Sequence, residues 1–411
     1  MTADLAGGLA DPDIQEHPEA YYHALRAQPV FHDTRLGFYI CSDYRLLREV
    51  LRDTERFSSI DSQRMDDLRT PPEAALTIRR QLVPPVNTLV TNDPPDHTRI
   101  RRMVDAPFRP RSIETLRAGI VDIVNQCIDA FISRGTCEVV SDYAIPIPVR
   151  VIADMLGIDR DMAPKIKEWS DASVEPLGMM VSDERLVACA RLMQEFQAFM
   201  ISELEARQRQ PRDDLLSHLT QARDDSNEPL TLPQMLSLTQ QFLVAGNETT
   251  TNGIAAGVQL LIAHPDQQAI LRQHPERLLT FTNEVLRLEA PVQGLFRIVT
   301  RDTELGGVTL PAGARLMLRF AAANRDPGKY TNPDDLDVWR HNTGTHVAFG
   351  AGIHHCIGAN LAREEMTQAF GVLLERTRNL AFRAGDNDFA HHPSMILRGL
   401  KRLHITFDSH C

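Results

Sequence analysis

Apolar residues recur at three- and four-residue steps along most of this chain. The segments 17–28 (HPEAYYHALRAQ), 43–53 (DYRLLREVLRD), 112–134 and 184–208 all carry that spacing, which predicts amphipathic helices. Period-two pieces are few. PVFHD with FYICS near residue 35, and GGVTLPAGARLMLRF near residue 312, sit between turn signals and predict short strands. The longest helical run opens on Thr231 and Gln234, a capping-box pattern, and continues to about Ala263. The expected fold is therefore mostly α with small β-sheets, an α+β chain with a long central helix over about 231–263. The charged connection at 207–214 (RQRQPRDD) reads as a surface link between helices, not as a domain boundary. The stretch 140–205 carries no chemical signal; Met179 and Met180 there read as packing residues and receive no role.

Length and composition narrow the setting. A chain of 411 residues exceeds the usual single-domain range, so length alone favours two domains. No run of about eighteen apolar residues exists, so no membrane span is expected. The acidic opening lacks a signal-peptide core and points to the cytoplasm. Cys41, Cys127, Cys137, Cys189, Cys356 and Cys411 show no paired spacing, which fits free thiols in a reducing compartment. A net charge of −11 argues against nucleic acid as a partner.

The chemistry concentrates at 346–363, HVAFGAGIHHCIGANLAR. Gly350 and Gly352 permit positive φ or a close approach to a flat ligand. Such a turn aims N–H groups at the Cys356 sulfur and lowers its pKa, and a helix opening at Gly358 and Ala359 adds its positive end. A lone cysteine is more often a small buried hydrophobe. A zinc site on His354, His355 and Cys356 lacks a second ligand cluster. Three fixed glycines alone coincide by chance in about three windows per ten thousand, for a glycine usage of about 7%. Phe349, His354 and Cys356 at fixed positions make coincidence negligible. Upstream, DPPDHTRIRR places His97 and Arg101 on one helical face, suited to holding paired carboxylates such as haem propionates. In AGNETTT, Ala245 and Gly246 are small enough for a flat ligand to approach the long helix. Glu248 and Thr249 form an acid–hydroxyl pair there. Opening the helix at Thr249 would make a groove for dioxygen, whereas a hydroxyl bonded back to Ala245, with Glu248 in solvent, is the ordinary alternative. Glu284 and Arg287 are an i,i+3 pair, weak evidence by themselves.

FGAGIHHCIG matches F-G-x-G-x-H-x-C-x-G, the haem-ligand motif of the cytochrome P450 family, at every fixed position, and the chain resembles that family from about residue 90 onward. The resemblance implies one haem-thiolate domain over 1–411. It implies haem b bound non-covalently, with Cys356 as axial ligand and with Phe349, Gly350 and Ala245 against the cofactor. His97, Arg101, Arg297 and His354 match propionate-binding positions. AGNETT is similar to the family's oxygen-activation element, which gives Thr249 and Glu248 a catalytic role in proton delivery. Glu284 and Arg287 match the structural E-x-x-R, with either Arg340 or His346 as a third basic partner. Leu336 stands where phenylalanine is more usual. Gln241, Val244, Ala245, Val292, Gln293, Leu295 and Met395 would line the substrate pocket.

The activity so implied is insertion of one atom of dioxygen into a C–H bond of a small apolar substrate, by hydroxylation or oxidative dealkylation. Terpenoid, steroid-like and aromatic substrates all remain open. The chain has no G-x-G-x-x-G segment and no iron–sulfur cysteine cluster, so electrons are expected from an external ferredoxin and ferredoxin reductase. A basic patch of Arg99, Arg102, Arg109, Arg111, Arg340, His341 and His355 would dock that ferredoxin on a monomeric enzyme. A peroxide-driven peroxygenase and a non-catalytic haem sensor are the alternatives.

Overall fold

The structure, a computed structural model, describes residues 5–66 and 68–410; Cys411 lies outside them. The helices that frame the site are α1 (Asp96–Val104), α2 (Ala163–Val174), α3 (Asp183–Arg209), α4 (Leu232–Ala263), α5 (Leu278–Glu289) and α6 (Ala359–Arg376). The central helix α4 starts where its capping box predicts. Thr231 Oγ1 accepts from the Gln234 N–H, and the Gln234 side chain accepts from the Thr231 N–H at 2.9 Å. Its 32 residues span about 48 Å at 1.5 Å per residue.

Two glycines decide how α6 meets α4. A Cβ on Gly257 would lie 2.2 Å from Phe370 Cζ, and one on Gly253 would lie 2.9 Å from Met366 Cε. Spaced four apart, they share one face of α4 and let the rings and thioethers of α6 close on its backbone. Ile254, Val258, Phe281, Val285, Met366, Phe370 and Leu373 are all buried in the cluster that results, together with the inner face of the helix Pro110–Asp129. This core fixes α6, and therefore the segment just before it, against the central helix.

The sheet beside the site contains β1 (Val30–Asp33), β2 (Phe38–Cys41), β3 (Phe57–Ser58), β4 (Leu295–Val299) and β5 (Arg315–Leu318), in the order β1–β2–β5–β4–β3. Pairing is antiparallel except between β2 and β5. All four residues of β5 are buried, as a strand covered on both faces should be. The strands Thr136–Glu138, His404–Ser409 and Thr377–Phe382 form a second sheet.

The connection at 207–214 is a surface link between helices, with residues 208–213 exposed, but its first residue is anchored in the interior. Arg207 is only 1% exposed and pairs with Asp214 at 2.8 Å, with Glu203, and with the Gly157 carbonyl at 2.6 Å. Its charge is matched by two carboxylates, which is what makes burial tolerable. The stretch 140–205 resolves into the helix Pro146–Leu156, α2 and α3. Met179 and Met180 pack on the apolar cluster that contains Met395. No helix among the described residues is long and apolar enough to cross a membrane.

Candidate active site

Gly350 and Gly352 take φ of +65° and +69°, a region in which side chains are strained. At Gly352 space also excludes a Cβ, which would lie 2.6 Å from the Leu51 carbonyl oxygen. The loop thus seats against the C-terminal end of the helix Tyr44–Val50. The Cys356 N–H donates to the Phe349 carbonyl at 2.9 Å, and the His355 N–H donates to the Gly352 carbonyl at 3.1 Å. Phe349 stacks under the Arg363 guanidinium, 4.6 Å from the ring centre.

The Gly358 N–H, Arg101 and Arg363 all favour a thiolate at Cys356, yet burial outweighs them and pushes the thiol up. The expectation that the turn and helix end alone lower its pKa is therefore not met. A coordinating metal would deprotonate the thiol outright. The described cysteines are all free, and no group of three or more His, Cys, Asp or Glu side chains is placed to hold a metal ion among the described residues.

Two imidazoles and two guanidinium groups from α1, β4 and the cysteine loop converge beside this loop. The His97 and His354 rings lie 4.3 Å apart. His97 is 1% exposed with both ring nitrogens unpartnered. Arg297 is 3% exposed and donates to the neighbouring Phe296 carbonyl. His354 Nε2 lies 3.0 Å from Ser59 Oγ and 4.0 Å from Asp93 Oδ1, and Arg101 donates to the Ile353 carbonyl at 3.3 Å. Burial, then repulsion from Arg101, lowers His97 to about 4; burial, then Arg297 and His97, lowers His354 to about 3. Burial lowers Arg297 to about 10. A buried imidazole with no partner is costly unless an anion meets it. The donor set fits a ligand with paired carboxylates lying over a glycine-framed cysteine, which is the outline of haem.

On α4, Ala245 is exposed on a helix that is otherwise mostly buried around it. Gly246 instead packs on Ile152, at ordinary contact distance, so Ala245 alone offers the flat approach. Thr249 Oγ1 donates to the Ala245 carbonyl at 2.8 Å and the helix runs unbroken, so the expected opening is absent. Glu248 is not solvated. It is 8% exposed, its Oε1 lies 3.1 Å from Lys167 Nζ on α2, and burial pushes it up to about 7 against the pull of that lysine. Lys167 also binds Asp171 one turn along α2.

Glu284 and Arg287 are fully buried and joined twice, at 2.6 and 2.9 Å. Arg340 is the third partner, with Nε 3.0 Å from Glu284 Oε2, while His346 turns to Asn283 Oδ1 at 3.3 Å. Arg287 also donates to the carbonyls of Asn324 and Asp335, and so holds the segment that leads into the cysteine loop.

The two glutamines expected in the pocket are engaged elsewhere. Gln241 Nε2 donates to Thr88 Oγ1 at 2.6 Å and its Oε1 accepts from the Val90 N–H at 3.4 Å, tying the 83–92 segment to α4. Gln293 is 3% exposed; it donates to the Glu289 and Ala290 carbonyls and accepts from Tyr22 and Arg319. Val244, Val292 and Leu295 are half-buried, and Met395 is buried. Ile60, Val86 and Val90, which sequence reasoning passed over, are exposed large apolar residues, and Val86 and Val90 are hydrogen-bonded onto α4. The basic patch is largely neutralised by its neighbours: Arg99 pairs with Asp96 and Asp224, Arg102 with Asp225, and Arg109 with Asp105.

The family model for cytochrome P450 matches residues 176–407. Cytochrome P450 monooxygenase PikC of Streptomyces venezuelae is 34% identical over 97% of this chain and 93% of its own length. Vitamin D(3) 25-hydroxylase of Pseudonocardia autotrophica is 34% identical over 78% of each chain. The solved structure of cytochrome P450 CYP109Q5 from Chondromyces apiculatus superposes with a TM-score of 0.85, at 32% identity, over 98% of both chains. With that fold, the glycine-framed cysteine and its cluster of histidine and arginine donors in place, the chain belongs to the cytochrome P450 family of haem-thiolate monooxygenases.

Proposed function

We propose that residues 1–411 work as one domain that holds haem b through the Cys356 thiolate and inserts one oxygen atom into a C–H bond of a small apolar substrate. The observation that carries this is the convergence of unpartnered His97, buried Arg297 and His354 beside the Cys356 loop. Those side chains, with Arg101, would hold the propionates, and Phe349, Gly350 and Ala245 would face the macrocycle. Haem supplies dioxygen activation when bound, and its thiolate ligand favours O–O cleavage. The chain's own residues do the rest. Thr249 presents a hydroxyl one turn from the exposed Ala245, and Glu248, held near neutrality by burial, exchanges a proton behind it.

Val244, Val292, Leu295 and Met395, with Val86 and Val90, supply an apolar lining, and the glutamines are spent on the protein itself. The hydroxylase named for vitamin D(3) among the relatives supports a terpenoid or steroid-like substrate. Electrons come from an external ferredoxin and its reductase. One face for docking the donor is a groove of about 850 Å³ lined by Arg45, Arg48 and Arg52, which make no ion pair among the described residues, together with Glu49, Asp53 and Glu55. That groove adjoins the Leu51 carbonyl on which the cysteine loop sits. The test is turnover of the haem-loaded protein with ferredoxin and reductase against turnover with hydrogen peroxide. Ferredoxin-supported product formation is expected, with Thr249→Ala keeping its haem but diverting most reducing equivalents to peroxide. Product from peroxide alone, or full coupling in Thr249→Ala, overturns the reading.

A further inference from the structure

We propose that the cavity between the N-terminal helices and the loop 391–398 is a receptor for one monovalent anion of halide size, with Arg319 as its cation. Arg319 directly follows β5 and is 6% exposed. Its Nη1 donates to the Met395 carbonyl at 2.8 Å, and its Nη2 donates to Gln293 Oε1 at 3.1 Å and to Tyr22 Oη at 3.4 Å. Its Nε is buried with no partner. Every acceptor it reaches is neutral, and it makes no ion pair with any described residue. A guanidinium does not shed its proton, so burial leaves this charge uncompensated, and that is costly unless an anion joins it.

The cavity that Arg319 lines measures about 20 Å³, enough for one occupant the size of a water or a halide. Tyr22, Gln293, His391, His392 and Arg398 also line it, and no carboxylate does among the described residues. Two of these groups already have acids of their own. His391 Nδ1 lies 2.6 Å from Glu16 Oε2, and Arg398 Nε lies 3.5 Å from Glu289 Oε2. Arg319 remains the unmatched charge. Tyr21 repeats the pattern beside it: its hydroxyl is buried without a partner, and burial pushes it up while the Arg319 charge opposes that shift. Water alone would fill the space but leave the charge standing, whereas a halide answers both. Bound there, it would tie β5 and the loop that carries Met395 to the helix Glu19–Leu25, which carries Tyr22.

The test soaks sodium bromide into crystals of the haem-loaded protein and reads anomalous scattering. It is paired with thermal unfolding in sodium chloride, sodium bromide and sodium gluconate at equal ionic strength. One bromide peak in this cavity is expected, with a melting temperature about 2 °C or more higher in either halide than in bulky gluconate. Arg319→Met should lose both the peak and the halide dependence. If that variant fails to fold, the peak and the halide dependence of the parent protein decide the matter. An empty cavity in the bromide crystals, or equal melting temperatures in the three salts, overturns the proposal. A bromide peak with no effect in solution is binding at crystal concentration only and overturns it as well. A folded Arg319→Met that keeps the halide dependence places the ion elsewhere and does the same. Neither readout needs turnover, so the site is tested even if the monooxygenase reading fails.

Discussion

Glu365 sits on α6 with 2% of its surface exposed and Thr250 as its hydrogen-bonding neighbour. Burial pushes it up to about 8, against the smaller pull of that hydroxyl, so at neutral pH it is a neutral acid. The unfolded chain releases this proton in the ordinary carboxyl range, while the folded chain keeps it until about pH 8. Folded protein thus binds more protons across that window, and stability falls as pH rises through it, at most about 1.4 kcal/mol per pH unit, levelling off above it. Glu365→Gln keeps the neutral shape and should remove its share of that slope, leaving the smaller share due to Glu248. Urea unfolding of both proteins from pH 5 to 9 measures the difference; parallel slopes would place Glu365 in a more polar setting. At this scale fixed spacing in the sequence singled out Cys356, Gly350, Gly352, His354, Glu248 and Thr249. It hid effects set by water exclusion. Counting N–H donors around Cys356 predicts a lowered thiol, and only the burial of the sulfur reverses the sign. Lys167 was hidden too, because KIKEWSDA reads as a solvated helix face until α4 is laid across it.

Between elements, the contact of α4 with α6 holds the cysteine loop in register with the helix bearing Glu248 and Thr249. Gly257 is where that contact is tightest, at 2.2 Å from a virtual Cβ to Phe370 Cζ. Gly257→Ala should cost about 1–3 kcal/mol through overpacking, despite the better helix propensity of alanine. Gly119, inside the helix Pro110–Asp129, has nothing within 4 Å of a virtual Cβ. Gly119→Ala should be neutral or stabilising by up to about 1 kcal/mol. Equal effects of the two substitutions in urea unfolding would mean that helix propensity, and not the α4–α6 approach, governs both. Element types were readable because the apolar period is strong: the capping box and the length of α4 stand as expected, as do the short strands β1 and β2. Partners across elements were not readable. Two basic residues competed for Glu284 on paper, and only the chain path through Asn324 and Asp335 brings Arg340 there and sends His346 to Asn283.

At the scale of the whole molecule, a net charge of −11 still leaves Arg45, Arg48 and Arg52 grouped along one groove, with Glu49, Asp53 and Glu55 among them. Arg99, Arg102 and Arg109 are each paired with nearby aspartates, whereas Arg45, Arg48 and Arg52 are not. Reversing all three of the latter to glutamate should slow ferredoxin-dependent reduction at least tenfold at low salt, with the difference fading as ionic strength rises. Reversing Arg99, Arg102 and Arg109 together should change it far less; stopped-flow reduction kinetics distinguish the two sets, and the opposite ranking would return docking to α1. The central claim, Cys356 as the thiolate ligand of a bound haem, is tested most directly by the carbon monoxide difference spectrum of the reduced protein. A strongly red-shifted Soret band, lost in Cys356→Ser, is the predicted result. A haem protein without that band, or one that keeps it in Cys356→Ser, would contradict the account.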